Sequence, residues 1–583
     1  MRLDTEIETR TEPSRESRRG RRRRRRRRRQ QLIPIVVALL LIVIVALIGL
    51  GGKLFGEGSG EGLGLPVAES KEKADLNAYY GITPGDGELI ILNHQAREER
   101  GILQNGISFV PLSMANEWEE IFYYDANENR LLATTAEAVH EAAGTDFLLS
   151  GDSVYVSMEW LKQFITMSFA AYESPSRLVI RTEWEAEDRA DLAADTMLRT
   201  KGDRRAQVVE ELKEGDTVTI LSANELFSYA ETEHGHLGYL DNKKLGSHRQ
   251  ETSKPAFTVS LPPYNGNTRP HNIVLGWHNI VSRDGNDSFE EAVSVAQGMN
   301  VISPTWFAVS DDKGNVADIA SADYVTKAHA AGLEVWGLVD NMSYPVDSNV
   351  FLSHTAARQT LEANLIALAG QYGLDGLNID FEQLPAEAGD DFSQFLRELS
   401  ILCRQKGLVL SVDNYVPKEY TSHYRRDIQG RVCDYVIIMG YDEHTNAGGE
   451  AGSVASIDFV TEGIEKTLED VPPEKVINGI PFYTRRWITE SDSVDSVAIG
   501  MAEAQAFLKD NGQTAVWDEA ACQNVAHFEK NGAAYSIWLE DAQSISAKLS
   551  VMKSHDLAGV ACWRLMLETP DIWEVIRAFY PAE

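Results

Sequence analysis

The stretch DGLNIDFEQL, running from Asp375 to Leu384, sets two carboxylates and an amide at alternate positions of an otherwise apolar run. A β-strand turns successive side chains to opposite faces. Asn378, Asp380 and Glu382 therefore share one face, and Leu377, Ile379 and Phe381 share the other. Asp375 has the opposite parity, which gives it and the adjoining Gly376 a turn or positioning role. Charged side chains are costly inside a protein unless they are paired or put to use. The stretch therefore reads as a buried strand with one face turned to a site.

Seven further runs share its apolar character: NIVLGWHNI, NVISPTWFAV, LEVWGLVD, LVLSVDNYV, YVIIMGYD, KVINGIPFY and AGVACWRLM. Parallel strands buried on both faces read this way. Most are separated by amphipathic stretches, so residues 268–583 are expected to form an α/β unit, a (β/α)8 barrel. The gap from Thr484 to Asp541 is too long for a simple crossover and contains AAYSIWL, which predicts an extra small subdomain. Barrel sites gather where strands end at their C-terminal side. Asp380, Glu382, Asn414, Tyr441, Asp442, Tyr483 and Arg564 stand at those ends.

In an extended strand Asp380 sits one inward step below Glu382, about 6–7 Å away. Its negative charge disfavours ionisation of Glu382 and moves that carboxyl toward the range of a general acid. Asn378 is expected to hydrogen-bond to Asp380 without adding a third charge. The competing reading is a buried polar network that only closes the barrel.

The segment DGLNIDFE resembles the signature of glycoside hydrolase family 18, with Asp375, Asn378, Asp380 and Glu382 at its four polar positions. MGYD at 439–442, PPEKVINGIPFY at 472–483 and Trp563 in the last strand extend the resemblance across the barrel. NVISPTWF, FYTRRW, IWLEDAQSISAKL and ACWRLMLE resemble the bacterial spore-cortex and peptidoglycan N-acetylglucosaminidases of that family.

The resemblance implies that Glu382 is the acid/base on the glycosidic oxygen. It also implies a substrate whose own 2-acetamido group is the nucleophile, with retained configuration, so that the two-carboxylate scheme does not apply. Asp380 would orient the acetamido nitrogen, Tyr441 would donate near its carbonyl, and Asp442 would contact sugar hydroxyls. Trp563 would floor the sugar. The common chitinase pattern has Asp where this chain has Asn378, which alters proton sharing with Asp380. Trp277 and Trp306 are candidate sugar platforms near strand ends, with Trp336 and Trp487 equally readable as core. Asn414 and Tyr483 are further substrate-side candidates, and Arg485 and Arg486 candidates for carboxylates of a wall peptide. No cofactor and no metal are expected.

The chain has 583 residues and a formal charge of −33, which suits an acidic protein of two or three folded units. Residues 1–30 carry fourteen arginines against five acidic residues, so the remainder has 41 basic and 83 acidic residues, a charge of −42. Such a surface repels nucleic acid. The uncharged run QLIPIVVALLLIVIVALIGLGG follows the arginines. It exceeds the ~20 residues that span a bilayer, and no A-x-A-like cleavage site precedes the polar segment. Residues 31–52 are therefore expected to be a transmembrane helix, with 1–30 a cytoplasmic tail, a linker over 53–84, and everything beyond lying outside the cell membrane.

Residues 85–182 show a faint internal echo, LQNGISFVPLSMANEW against LSGDSVYVSMEWLKQF. This resembles the N-terminal module of copper amine oxidases and reads as an α+β stalk without a copper site. Residues 194–246 carry short strands between Gly and Asp turns, a small β-barrel pattern that resembles a bacterial SH3 domain and suggests contact with the cell wall. Cys403, Cys433, Cys522 and Cys562 allow three complete pairings and are expected as small buried apolar side chains. The leading expectation is a membrane-anchored hydrolase of N-acetylglucosamine glycans in peptidoglycan. A chitinase or chitooligosaccharide hydrolase, or an inactive glycan-binding wall protein, are the alternatives.

Overall fold

A computed structural model describes residues 69–581 except 84, 86, 491 and 492. Its centre is a closed ring of eight parallel strands: β1 (Ile273–His278), β2 (Val301–Val309), β3 (Glu334–Asp340), β4 (Gly376–Asp380), β5 (Val409–Tyr415), β6 (Tyr435–Met439), β7 (Val476–Pro481) and β8 (Gly559–Trp563). Each strand pairs with its sequence neighbour, and β8 pairs with β1 to close the ring. All eight apolar runs read from the sequence are these strands. Ladder closure leaves no free edge, and helices cover the outside.

Two cores result. The inner one stacks Ile273, Leu275, Trp277, Val301, Trp336, Leu338, Tyr435 and Ile437 within the ring. The outer one packs the other strand faces against helices, including Thr355–Tyr372 before β4 and Gly389–Lys406 after it. Gly376 has a packing reason: a Cβ there would meet Trp336 Cδ1 and the Val409 carbonyl, each at 2.8 Å. Between β7 and β8 the chain builds a five-stranded antiparallel sheet from residues 483–539 with the helix Met501–Asp510.

Residues 88–181 form a seven-stranded sheet and a separate three-stranded one, Phe122–Asp125, Arg130–Thr134 and Val139–Glu141. The next module is a seven-stranded antiparallel sheet that begins at Ala186, ahead of the expected boundary, and ends at Thr252.

The module expected as a stalk over residues 85–182 also touches the barrel. Its small sheet is built into the barrel's helical layer. Asp125 accepts from the Thr355 backbone N–H at 2.7 Å and from the Thr355 hydroxyl at 2.6 Å, so it caps the helix Thr355–Tyr372 from another module. Tyr123 donates to Asp391 at 2.6 Å, and Gln394 donates to the Thr134 hydroxyl at 2.8 Å. Beneath them the fully buried Arg358 donates to Glu398 at 2.8 Å and to the Leu352 carbonyl at 2.6 Å. A buried cation needs such partners, because unpaired it would cost several kcal/mol, on the order of 3–5.

The membrane expectations are also corrected. Residues 31–52 lie outside the described residues, and among the described residues no helix is long and apolar enough to cross a membrane. The two 18-residue helices, TAARQTLEANLIALAGQY and GDDFSQFLRELSILCRQK, show why: each bears charged or amide side chains along its length and packs one face on the barrel. Membrane anchoring, a single-pass topology and an extracytoplasmic placement thus have no support among the described residues. All four cysteines are unpaired; Cys403, Cys433 and Cys562 are buried and Cys522 is half-buried.

Candidate active site

The C-terminal mouth of the ring holds a pocket of about 160 Å³ lined by Trp277, Asp380, Glu382, Asp413, Tyr415, Met439, Tyr441, Asp442 and Trp563. Asp380 and Trp563 also line a wider neighbouring groove of about 480 Å³ that runs over Ile280, Thr305, Asp340, Met342 and Tyr344. The two hollows thus form one cleft, narrow over the carboxylates and open beside β2 and β3.

Strand β4 supplies the floor. Asn378 is fully buried, and its amide is oriented by its neighbours. Its Oδ1 accepts from Trp277 Nε1 at 2.8 Å and from the Ser303 hydroxyl at 3.1 Å, while its Nδ2 donates to Asp413 Oδ1 at 2.8 Å. The expected bond from Asn378 to Asp380 is therefore replaced by one to the adjacent strand: residues two apart on one strand point the same way but lie further apart than lateral neighbours.

Asp380 closes the strand above it. Its Oδ1 is buried without a hydrogen-bond partner. Burial, then the negative charges of Asp413, Glu382 and Asp340, hold its carboxyl well above the usual range. Burial likewise lifts the Asp413 carboxyl well above that range, opposed by the Asn378 amide and reinforced by Glu382.

Glu382 lies just beyond the strand end. Its backbone N–H donates to Asn341 Oδ1 and its carbonyl accepts from Asn341 Nδ2, both at 2.9 Å, so one side chain clamps this peptide in place. Its Oε2 accepts from the Tyr415 hydroxyl at 2.5 Å. Burial raises the Glu382 carboxyl; the Tyr415 bond pulls it back, and Asp442 and Asp340 add to the rise. The expectation that Asp380 drives this shift gives way to burial as its first cause, because the pocket removes most of the water around the carboxyl.

Tyr441 packs edge-on against Trp277, with ring centroids 6.5 Å apart, and Trp277 packs on Trp563 at 5.9 Å. Burial, followed by Asp380 and Asp413, lifts the Tyr441 hydroxyl well above its ordinary value, so it remains a donor. Asp442 adopts a left-handed backbone, φ 59°, and accepts from the Tyr483 hydroxyl at 2.6 Å. Arg485 approaches the same carboxylate at 3.8 Å, whereas Arg486 lies over the Phe507 ring away from the pocket.

Several candidates lie outside the pocket or are held mainly by packing. Asn414 has the outward parity of β5 and donates to Gln429 at 2.6 Å on the covering helix Arg426–Val432. Trp306 lines the wider groove, but it is 2% exposed, packs on Tyr324 and donates to Asn286, which makes it chiefly a packing residue. Trp277 is 1% exposed and serves as a floor beneath Asn378 and Tyr441. Asp375 stands at the opposite end of the ring, where it accepts from His329 and from the Val335 backbone, each at 2.8 Å. Asp413 and Tyr415 were missed. The signal was parity within LVLSVDNYV: Ser411, Asp413 and Tyr415 alternate as Asn378, Asp380 and Glu382 do. Among the described residues no group of three or more His, Cys, Asp or Glu side chains is disposed to hold a metal ion.

A parallel barrel with a raised carboxyl at its mouth, a buried carboxylate row beneath and an aromatic floor defines a barrel hydrolase of the acid–base type. Residues 344–568, from the loop after β3 to just beyond β8, match Glycosyl hydrolases family 18, a family of glycoside hydrolases. The chain is 25% identical over 293 residues to the uncharacterized glycosylase YvbX of Bacillus subtilis, covering 48% of this chain and 84% of the relative. It is 27% identical over 235 residues to the cortical fragment-lytic enzyme of the same organism, covering 38% of this chain and 54% of that relative. The solved Bacillus cereus spore cortex-lytic enzyme SleL aligns at 20% identity with a TM-score of 0.49, over 54% of this chain and 75% of its own.

Proposed function

We propose that the barrel cleaves β-1,4 linkages after N-acetylglucosamine in peptidoglycan, with the substrate's acetamido group as nucleophile. The observation that carries this reading is the buried, unpartnered Oδ1 of Asp380 in a pocket whose rim carboxyl, Glu382, has a raised pKa. A buried acceptor without a donor is costly, about 1–3 kcal/mol, and an acetamido N–H from the sugar supplies that donor.

In the first step Glu382 gives its proton to the glycosidic oxygen as the C1–O bond breaks, and the acetamido oxygen bonds to C1. The resulting oxazolinium cation lies against the Asp380 carboxylate, and the Tyr441 hydroxyl donates toward the former carbonyl oxygen. In the second step Glu382 removes a proton from water, which bonds to C1 as the ring reopens. Two inversions at C1 retain its configuration. Trp563 floors the sugar, and Asp442, held by Tyr483, faces its hydroxyls.

Peptidoglycan is favoured by the relatives, whose names are cortical fragment-lytic or spore cortex-lytic. Contact of the 186–252 sheet with wall polymer, through an SH3-like mode, belongs to the same proposal and rests on its strand pattern. Chitin oligomers present the same sugar to Glu382 and remain the second substrate reading. Incubation of the full chain with purified peptidoglycan, and separately with chitin oligomers, followed by mass spectrometry of new reducing ends, separates them. N-acetylglucosamine-ended muropeptides support the proposal; cleavage of chitin oligomers alone replaces it. The Glu382→Gln variant should lose at least about 10³-fold in kcat while still binding glycan, and unchanged turnover would refute its role.

A further inference from the structure

The pocket carries a carboxylate that the mechanism above does not use. In the ladder between β4 and β5, Asn378 pairs with Ser411 and Ile379 with Val412. Continuing that register sets Asp380 beside Asp413 and, two residues further on, Glu382 beside Tyr415, where the 2.5 Å bond is found. On the other side Asp380 pairs with Asp340 of β3. Three carboxyl side chains thus lie in one lateral row across three strands whose backbones are about 4.8 Å apart.

The three are solvated differently. Asp340 accepts from the backbone N–H groups of Met342 and Ser343, at 2.8 and 2.7 Å, and from the Ser343 hydroxyl at 2.9 Å. Those donors bind it to its own loop. Asp413, 2% exposed, accepts from Asn378 Nδ2, whose orientation is fixed by the two donors on the amide's other end. Asp380 Oδ1 has no donor. In such a row the unpartnered member retains the proton, because each donor favours the charged form of the carboxyl it reaches.

We propose that Asp413 is a positioning residue that governs the charge on Asp380, its carboxylate being held by Asn378 in the lateral row beside it. Asn378 cannot take up this role itself, since an amide neither ionises nor shares a carboxyl proton. The charge that the common chitinase pattern places on the same strand is carried here by the neighbouring strand. Other groups facing Asp380 are Glu382 above it, Asp340 on β3, and the Tyr441 and Tyr424 hydroxyls. When Asp380 ionises, its proton leaves to solvent through the pocket, and the anion accepts the acetamido N–H. This inference rests on the proposed function for its kinetic consequence only.

The test compares Asp413→Asn, Asn378→Asp and the double variant in the full chain, using a chromogenic N-acetylglucosamine oligomer. Ionisation of Asp380 sets the acid limb of kcat/KM. Asp413→Asn removes the neighbouring charge and moves that limb down by about one pH unit, and Asn378→Asp moves it up by a similar amount. The double variant returns the limb toward the parent, because a carboxylate again stands beside Asp380. A merely structural residue would change kcat or Tm without driving the limb in opposite directions, so an unmoved limb, or one that shifts the same way in both single variants, overturns the proposal.

A second readout needs no turnover. Asp380 and Asp413 have folded-state pKa values above their unfolded ones. Their contribution to stability is therefore complete below about pH 4 and is lost as pH rises through the folded values. Asp413→Asn removes part of that loss, so the Tm of the variant relative to the parent should climb with pH. If the parent cleaves no N-acetylglucosamine polymer, the functional reading fails while the melting comparison still decides this one. A Tm difference that is flat from acid to alkaline pH overturns it.

Discussion

Replacing Tyr415 with Phe deletes one hydroxyl and leaves the ring packed on Tyr424. That hydroxyl donates to Glu382 Oε2 at 2.5 Å, and a donor stabilises the ionised carboxylate more than the protonated acid. Hydrogen bonds to charged groups contribute about 1.5–3 kcal/mol, and one pKa unit corresponds to about 1.36 kcal/mol. The full bond thus corresponds to about 1–2 units. Glu382 is half-buried, and water entering the pocket recovers part of the loss, which leaves about one unit upward. In the proposed mechanism Glu382 is protonated for the first step, so the basic limb of kcat/KM moves to higher pH by that amount. At the optimum kcat falls by roughly tenfold, because the carboxyl loses its aim and the Gln383 backbone N–H, 3.3 Å from the same oxygen, loses an acceptor. The assay is the pH profile of kcat/KM on a chromogenic N-acetylglucosamine oligomer. A basic limb that stays put, or moves down, would refute the assignment of Tyr415 as a donor to the acid proposed at Glu382.

Two further substitutions test the frame around the site. Asp125→Ala removes the cap that Asp125 supplies to the helix Thr355–Tyr372 and strands the donors of Asn127, Glu128 and Thr355. It should cost about 2–4 kcal/mol in urea unfolding, and a loss below about 0.5 kcal/mol would show that the module is an appendage. Trp306→Phe removes a buried indole that donates to Asn286. It should lower stability by about 1–2 kcal/mol while leaving KM for glycan within about twofold, whereas a KM raised tenfold would restore Trp306 as a sugar platform.

Much of the barrel was legible because parallel strands covered on both sides must be apolar throughout, and eight such runs in alternation with helices admit few other folds. The site was legible only where a polar residue interrupted a strand visibly. In DGLNIDFE three of the four polar side chains, Asn378, Asp380 and Glu382, alternate with hydrophobes, and their common face could be read by counting. In LVLSVDNYV the adjacent Asp413 and Asn414 are both polar, so composition alone cannot say which faces the ring. Selecting Asn414 chose the side chain that reaches Gln429 on the covering helix and passed over Asp413 in the pocket. Register between neighbouring strands decides the matter, and register is a property of the closed sheet that one strand's sequence does not contain.

The helix-capping role of Asp125 is likewise set by a distant part of the chain. Its sequence context, FYYDANENR, reads as a hairpin turn, and Asp125 does accept from the Asn127 and Glu128 backbone N–H groups within that turn. Its second oxygen serves a helix more than two hundred residues further along the chain, and no local pattern records that use. The long-range bond also bears on the site, because the helix it caps leads directly into β4. A module that secures the start of this helix helps fix the strand on which Asn378, Asp380 and Glu382 are set. The three-stranded sheet of the N-terminal module is therefore part of the scaffold that aims the carboxylate row.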